Sequence, residues 1–166
     1  AIVIETSGNS VIYQKNAYKK MPMASTTKIM TALCAIEAGN IDRTVTVNPN
    51  AVGIEGSSIY LQKGEKLTLR DLLYGLMLNS GNDAAVAIAY EVSGGIDEFA
   101  LLMNKTAQKI GCKNTHFENP SGLDGKEHYT TAYDLAIITS YAMKIPAFAQ
   151  IVSTYKKYDH RSEHTI

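Results

Sequence analysis

Ser25-Thr26-Thr27-Lys28 stands directly ahead of a mostly apolar run, Ile29 to Ile36. That length and composition predict a helix, and in a helix positions i and i+3 lie one above the other on the same face. Ser25 and Lys28 are therefore expected side by side in the first turn, where backbone N–H groups lack intrahelical partners. A serine hydroxyl is a poor nucleophile until a base takes its proton. A lysine serves as that base only when burial or neighbouring cations lower its pKa. The tetrapeptide thus supplies both groups at hydrogen-bonding distance. Its plainer alternative is an N-cap serine followed by a solvated lysine.

A second element, Ser80-Gly81-Asn82, follows 55 residues after Ser25. It lies between two helical patterns, Leu69 to Leu78 and Asp83 to Val92, as a short turn able to present a hydroxyl and a carboxamide into a cleft. As a plain connector it would use Asn82 as the N-cap of the next helix.

The rest of the chain is read from its punctuation. Ala1 to Glu5 and Ser10 to Gln14 are β-type runs, and Ser7-Gly8-Asn9 supplies the turn of a hairpin. The Ser25 helix stops at Ala38-Gly39-Asn40. Val45-Thr46-Val47 and Glu65-Lys66-Leu67 are short strands flanking a glycine-containing excursion, Gly53 to Gly64. Thr68-x-x-Asp71 opens the next helix as a capping box. Ile96, Phe99, Ala100, Met103, Ala107 and Ile110 recur at helical spacing. Asn119-Pro120-Ser121-Gly122 is a turn-rich loop, Thr130 or Thr131 caps a helix from Ala132 to Met143, and Pro146 interrupts the chain after it.

Composition excludes several function classes. Apolar residues make up 45% of 166 residues, enough for a single-domain core and too many for disorder. Lys plus Arg and Asp plus Glu are equal at 16 each, which gives no sign of a nucleic-acid partner or of membrane contact. No apolar stretch reaches the roughly 18 to 20 residues of a membrane span. No signal peptide is visible, and the chain begins inside a strand pattern, as a mature or trimmed form would. Cys34 and Cys112 could pair, but each sits in a separate apolar setting and reads as a buried thiol. His116, His128, His160 and His164 are scattered; His160 and His164 have i, i+4 spacing without further ligands, so no metal is assigned.

Ser-x-x-Lys with a Ser-x-Asn element and Lys-Thr-Gly is the signature of penicillin-binding proteins and class A β-lactamases. The wider text resembles the D-alanyl-D-alanine carboxypeptidases, the low-molecular-mass penicillin-binding proteins of serine peptidase family S11. The resemblance rests on Met23 to Leu33, Gly56-Ser57-Ser58 with Tyr60-Leu61, and Leu78 to Ala85. It continues through Met103-Asn104-Lys105, Asn114 to Asp124 and His128 to Ala136, and runs from the first residues to about Thr154. Ser-Gly-Asn, rather than Ser-Asp-Asn, favours the carboxypeptidases over class A β-lactamases. The third element departs: the nearest string to Lys-Thr-Gly is Lys105-Thr106-Ala107, which lies in a helical pattern.

The resemblance implies an α/β, β-lactamase/transpeptidase-like fold: an antiparallel sheet packed by helices. It is expected to be incomplete over residues 1–166, as an N-terminal hairpin plus a mostly helical block, one domain whose last strands follow Ile166. By the same resemblance Ser25 is the acylated nucleophile, Lys28 its base and Ser80 a proton relay. Asn82 binds the substrate's peptide carbonyl, and the Ser25 N–H forms half of an oxyanion hole. His128 and Asp134 read instead as residues satisfied by the backbone and by a helix cap. The implied substrate is a peptidoglycan stem peptide ending D-Ala-D-Ala, with β-lactams as covalent mimics, no cofactor, and an extracytoplasmic location in the cell envelope. Alternatives are a β-lactamase or transpeptidase, and a non-catalytic cell-wall-binding relative. Without the third element, residues 1–166 alone are expected to be inactive.

Overall fold

A computed structural model describes residues 1–123 and 125–157; His160 and His164 lie outside the described residues. Its elements follow the punctuation closely. Strands β1 (Ile2–Ile4) and β2 (Val11–Gln14) pair antiparallel, Ile2 opposite Gln14 and Val3 opposite Tyr13, with a register shift after Val3. The Glu5 carboxylate accepts from Ser7 N at 2.6 Å and Gly8 N at 2.9 Å, and Asn9 takes a left-handed φ of 56°. The Glu5 carboxylate thus closes the turn, while the Asn9 side chain reaches out of it and accepts from Ser140 Oγ of the later helical block at 3.0 Å. A second pair, β3 (Thr44–Thr46) and β4 (Lys66–Thr68), sets Val45 opposite Leu67.

Six helices follow or flank these strands among the described residues: α1 (Lys28–Glu37), α2 (Leu69–Leu78), α3 (Asn82–Ser93), α4 (Ile96–Lys109), α5 (Ala132–Met143) and α6 (Pro146–Val152). The predicted capping box opens α2: Thr68 Oγ1 accepts from Asp71 N at 3.1 Å, and Asp71 Oδ2 accepts from Thr68 N at 3.3 Å. Thr131, the second of the two predicted caps, opens α5 by accepting from Asp134 N at 3.0 Å. Pro146 does not simply interrupt the chain. It starts α6, at a position where a missing N–H costs no intrahelical bond and the fixed φ suits a helix.

Helix α1 is the hub. It packs against α2, α3, α4, α5 and α6, and Lys28 and Met30 to Ala35 are all buried. A helix buried on nearly every side holds its first turn rigidly. Met30, Leu33, Leu72, Leu73, Leu76, Ile88, Phe99 and Met103 fill the core around it. Lys105-Thr106-Ala107 lies inside α4 with Thr106 and Ala107 buried, so it forms no strand. Cys34 and Cys112 are separate, buried thiols, each pushed up to about 12 by burial.

The hairpin covers the block on one side only. Ile2 and Ile4 face Leu135, Ala136 and Met143 of α5 across an apolar groove of about 430 Å³. All of β2 is exposed, with Ile12 69% and Tyr13 55% accessible, and no further strand joins it among the described residues. Further along, the chain from Gly111 to Thr131 folds back beside the segment before Ser25. It is pinned by single antiparallel bridges between His116 and Tyr129 and between Met21 and Thr130.

Candidate active site

Ser25 lies in a 3-10 turn, Ala24–Thr27, and α1 proper begins at Lys28. The expected first turn of an α-helix is thus the tighter kind, in which side chains at i and i+3 eclipse. Ala24 enters it with a left-handed φ of 46°, an uncommon conformation for a residue with a Cβ. Lys28 Nζ stands 3.2 Å from Ser25 Oγ.

Lys28 is only 2% exposed, and no carboxylate pairs with it among the described residues. Burial without a counter-charge disfavours the ammonium form and lowers its pKa from 10.5 to about 8. Its other two partners are Asn82 Oδ1 and the Ser121 backbone carbonyl, each at 2.7 Å.

Those partners fix where a proton can go. A neutral lysine amine has two N–H groups and one lone pair. Asn82 Oδ1 and Ser121 O can only accept, so they hold the two N–H groups. Ser25 Oγ is the one partner able to donate, and the lone pair is left facing it. Neutral Lys28 in this nest is therefore oriented to take the Ser25 proton.

Asn82 is held from both ends. It is the first residue of α3, not its cap; Gly81 occupies the cap position without a side-chain bond. Asn82 N donates to Ser57 O at 2.7 Å and Asn82 Nδ2 to Glu55 O at 2.6 Å, which assigns Oδ1 to Lys28. Between those carbonyls Gly56 runs at φ +89°, and a Cβ there would lie 2.7 Å from Asn82 Nδ2. The neighbouring Asp83, also buried, accepts from Ser58 Oγ, Ile59 N and Leu61 N at 2.7 to 3.1 Å. The stretch read from sequence as a glycine-containing excursion is thus clamped onto the start of α3.

The third wall is the 119–122 loop. Asn119 Oδ1 accepts from Ser121 N, Ser121 Oγ and Gly122 N, and Thr31 Oγ1 of α1 donates to Pro120 O at 2.6 Å. Gly122, at φ +88°, packs so closely on the Ser25 turn that a Cβ would collide with the Ala24 carbonyl.

Ser25, Lys28 and Asn82 therefore form one hydrogen-bonded group. The Ser80 hydroxyl is not among the partners of Lys28, although Ser80 lies two residues before Asn82 with a left-handed φ of 55°. Ser121 was missed as a contributor, because it acts through its carbonyl and only the turn signal marked it. Asp134 accepts from Asn114 N and Thr115 Oγ1 at 2.7 and 2.8 Å while its own N–H is capped by Thr131, so it staples a loop as well as starting α5.

The peptidase S11 family profile, described as D-alanyl-D-alanine carboxypeptidase, matches residues 1–166. The chain belongs to that family. D-alanyl-D-alanine carboxypeptidase DacF of Bacillus subtilis is 40% identical over 163 residues, 95% of this chain and 42% of the relative. DacD of Escherichia coli is 35% identical over 149 residues, 83% of this chain and 38% of the relative. The chain thus spans about two fifths of the length of these relatives.

Solved structures agree in fold. The crystal structure of D-alanyl-D-alanine carboxypeptidase from Mycobacterium tuberculosis H37Rv superposes with a TM-score of 0.94 at 34% identity. The match covers 99% of this chain and 64% of that one. The Streptomyces K15 DD-transpeptidase gives 0.87 at 35% identity, over 95% of this chain and 65% of that one. The fold is the transpeptidase-like α/β arrangement, present here as its helix-rich part with two small antiparallel pairs.

Proposed function

We propose that this chain is the nucleophile-bearing part of a serine DD-carboxypeptidase that removes the terminal D-alanine from peptidoglycan stem peptides. The observation that carries the reading is the buried Lys28, 3.2 Å from Ser25 Oγ and without a carboxylate partner among the described residues. Lys28 takes the Ser25 proton as Oγ adds to the carbonyl of the penultimate D-alanine. Charge on that oxygen is met by the Ser25 N–H and a second donor from the rest of the domain. Asn82 Nδ2 or Oδ1 borders the incoming peptide, and Ser80 passes a proton to the departing amine. The C–N bond breaks, D-alanine leaves, and water then cleaves the Ser25 ester. No cofactor takes part. β-Lactams acylate Ser25 by the same route. The enzyme works outside the cytoplasm, in the cell envelope, where its substrate lies.

Residues 1–166 form the N-terminal part of one catalytic domain in this reading, and later strands complete the sheet and the oxyanion hole. The exposed apolar residues of β2 support it, since an uncovered apolar edge invites pairing. A second reading, transpeptidation, draws support from the 35% identity to the Streptomyces K15 DD-transpeptidase. The same acyl-enzyme then passes to an amine in place of water.

The test is D-alanine release from a peptide ending D-Ala-D-Ala by the full-length protein, with and without an added amine acceptor. Release with a free-acid product supports carboxypeptidation; an amide product supports transpeptidation. Residues 1–166 alone are expected to be inactive, since losing one oxyanion donor costs about 100- to 1,000-fold. Equal rates for the two forms would contradict the division of labour.

A further inference from the structure

His128 and Thr27 lie 101 residues apart in sequence, yet their side chains meet at 2.8 Å, Nε2 to Oγ1, in the interior. Thr27 is the last residue of the Ser25 turn, directly before Lys28. The other ring nitrogen of His128, Nδ1, faces the Glu118 N–H at 3.0 Å and must accept from it. Nδ1 is therefore unprotonated, the proton sits on Nε2, and Nε2–H donates to Thr27. The ring is 4% exposed and packs edge-on against Phe117, with centroids 5.8 Å apart. Its backbone N–H donates to Gly125 O. The imidazole thus joins the Ser25–Lys28 turn to the strand of chain that leads into Ser121, whose carbonyl holds Lys28.

We infer that His128 is a positioning residue for the Ser25–Lys28 pair. Its Nε2–H bond to Thr27 holds the 118–122 loop against the turn, so that Ser121 O keeps its contact with Lys28 and water is kept out. It touches neither substrate nor reacting atoms. The inference rests on the assignment of Lys28 as base for its functional meaning, and on the geometry alone for its structural content.

Release of the loop has a definite direction. Desolvation is what lowers the Lys28 pKa, so water admitted beside Nζ moves its titration upward. Among the described residues the hydrogen-bond partners of Nζ are Ser25 Oγ, Asn82 Oδ1 and Ser121 O, none of which titrates near neutrality.

The experiment titrates Lys28 by NMR in full-length protein labelled with 13Cε-lysine, using Lys28→Arg to assign the signal. Four variants are compared: wild type, His128→Ala, Thr27→Val and His128→Gln. Gln places an amide N–H near the Nε2 position, and Thr27→Val removes only the acceptor. The expected result is an upward shift of about one pH unit in His128→Ala and Thr27→Val, and a near wild-type midpoint in His128→Gln. Penicillin acylation near pH 7 should fall about tenfold in the first two and recover in the third. Should His128→Ala not fold, Thr27→Val against His128→Gln carries the comparison. An unchanged Lys28 midpoint in folded Thr27→Val overturns the inference. Failure of wild type to acylate at Ser25 would instead overturn the carboxypeptidase reading, leaving the NMR result to judge His128.

Discussion

Asn82 turns its carbonyl oxygen, not its amide nitrogen, toward Lys28 Nζ at 2.7 Å. The orientation is imposed from the far side, where Nδ2 donates to Glu55 O at 2.6 Å. A neutral acceptor holds an N–H of Lys28 without adding the negative charge that would keep the amine protonated. That distinction separates a base from a structural salt bridge.

Acylation should require the neutral amine. With a pKa of about 8, about a tenth of Lys28 is neutral at pH 7, and the rate should fall about tenfold per pH unit below that. Stopped-flow acylation by a chromogenic β-lactam from pH 6 to 9 measures it. Lys28→Arg keeps the charge but cannot accept a proton, and should lose about 100-fold or more. The sign for stability is opposite to that of a salt-bridged lysine. Below pH 8 both folded and unfolded states hold the proton and the burial penalty is fully present. Between about 8 and 10.5 the unfolded state holds more protons, so stability relative to Lys28→Met rises with pH by at most about 3 kcal/mol.

Asn82→Asp tests the neutral-acceptor argument from the other side. A carboxylate 2.7 Å from Nζ favours the ammonium form and moves the acylation midpoint upward by about one to three pH units. It also removes the donor to Glu55 O. The rate at pH 7 should drop by more than about tenfold and recover in part at pH 9. A drop that is uniform across pH would mean that Asn82 acts only in binding substrate.

Gly122→Ala should damage the site from outside the motifs. Its φ of +88° strains any L side chain, and the new Cβ would meet the Ala24 carbonyl and stand 2.9 Å from Thr27 Oγ1. Backbone is on one side of the clash, so the 119–122 loop must move, taking Ser121 O from Lys28. We expect about 1 to 3 kcal/mol of destabilisation by denaturant unfolding, with acylation lowered further than that loss explains.

Much of this was legible in the sequence because it is local. Ser25 and Lys28 are three residues apart, and any helical turn brings them together. The Thr68–Asp71 box, the hairpin turn and the amphipathic α4 likewise declare themselves within a few residues. What was not legible depends on long-range contact or on backbone atoms. Ser121 contributes a carbonyl that every residue has, and His128 finds Thr27 only once the 111–131 segment folds back. The Ser25 turn also packs against Gly122, some hundred residues later, a contact that no local pattern announces. Pro146 reads as a break in the sequence, yet the same ring begins a helix when what precedes it has already ended.

The central claim is that Ser25 is the nucleophile that Lys28 activates. Intact-protein mass spectrometry of the full-length protein incubated with penicillin tests it most directly, comparing wild type with Ser25→Ala. The account predicts one added penicilloyl mass on the wild type, mapped by peptide digestion to the Ser25 turn, and none on Ser25→Ala. Equal labelling of the two proteins would contradict it.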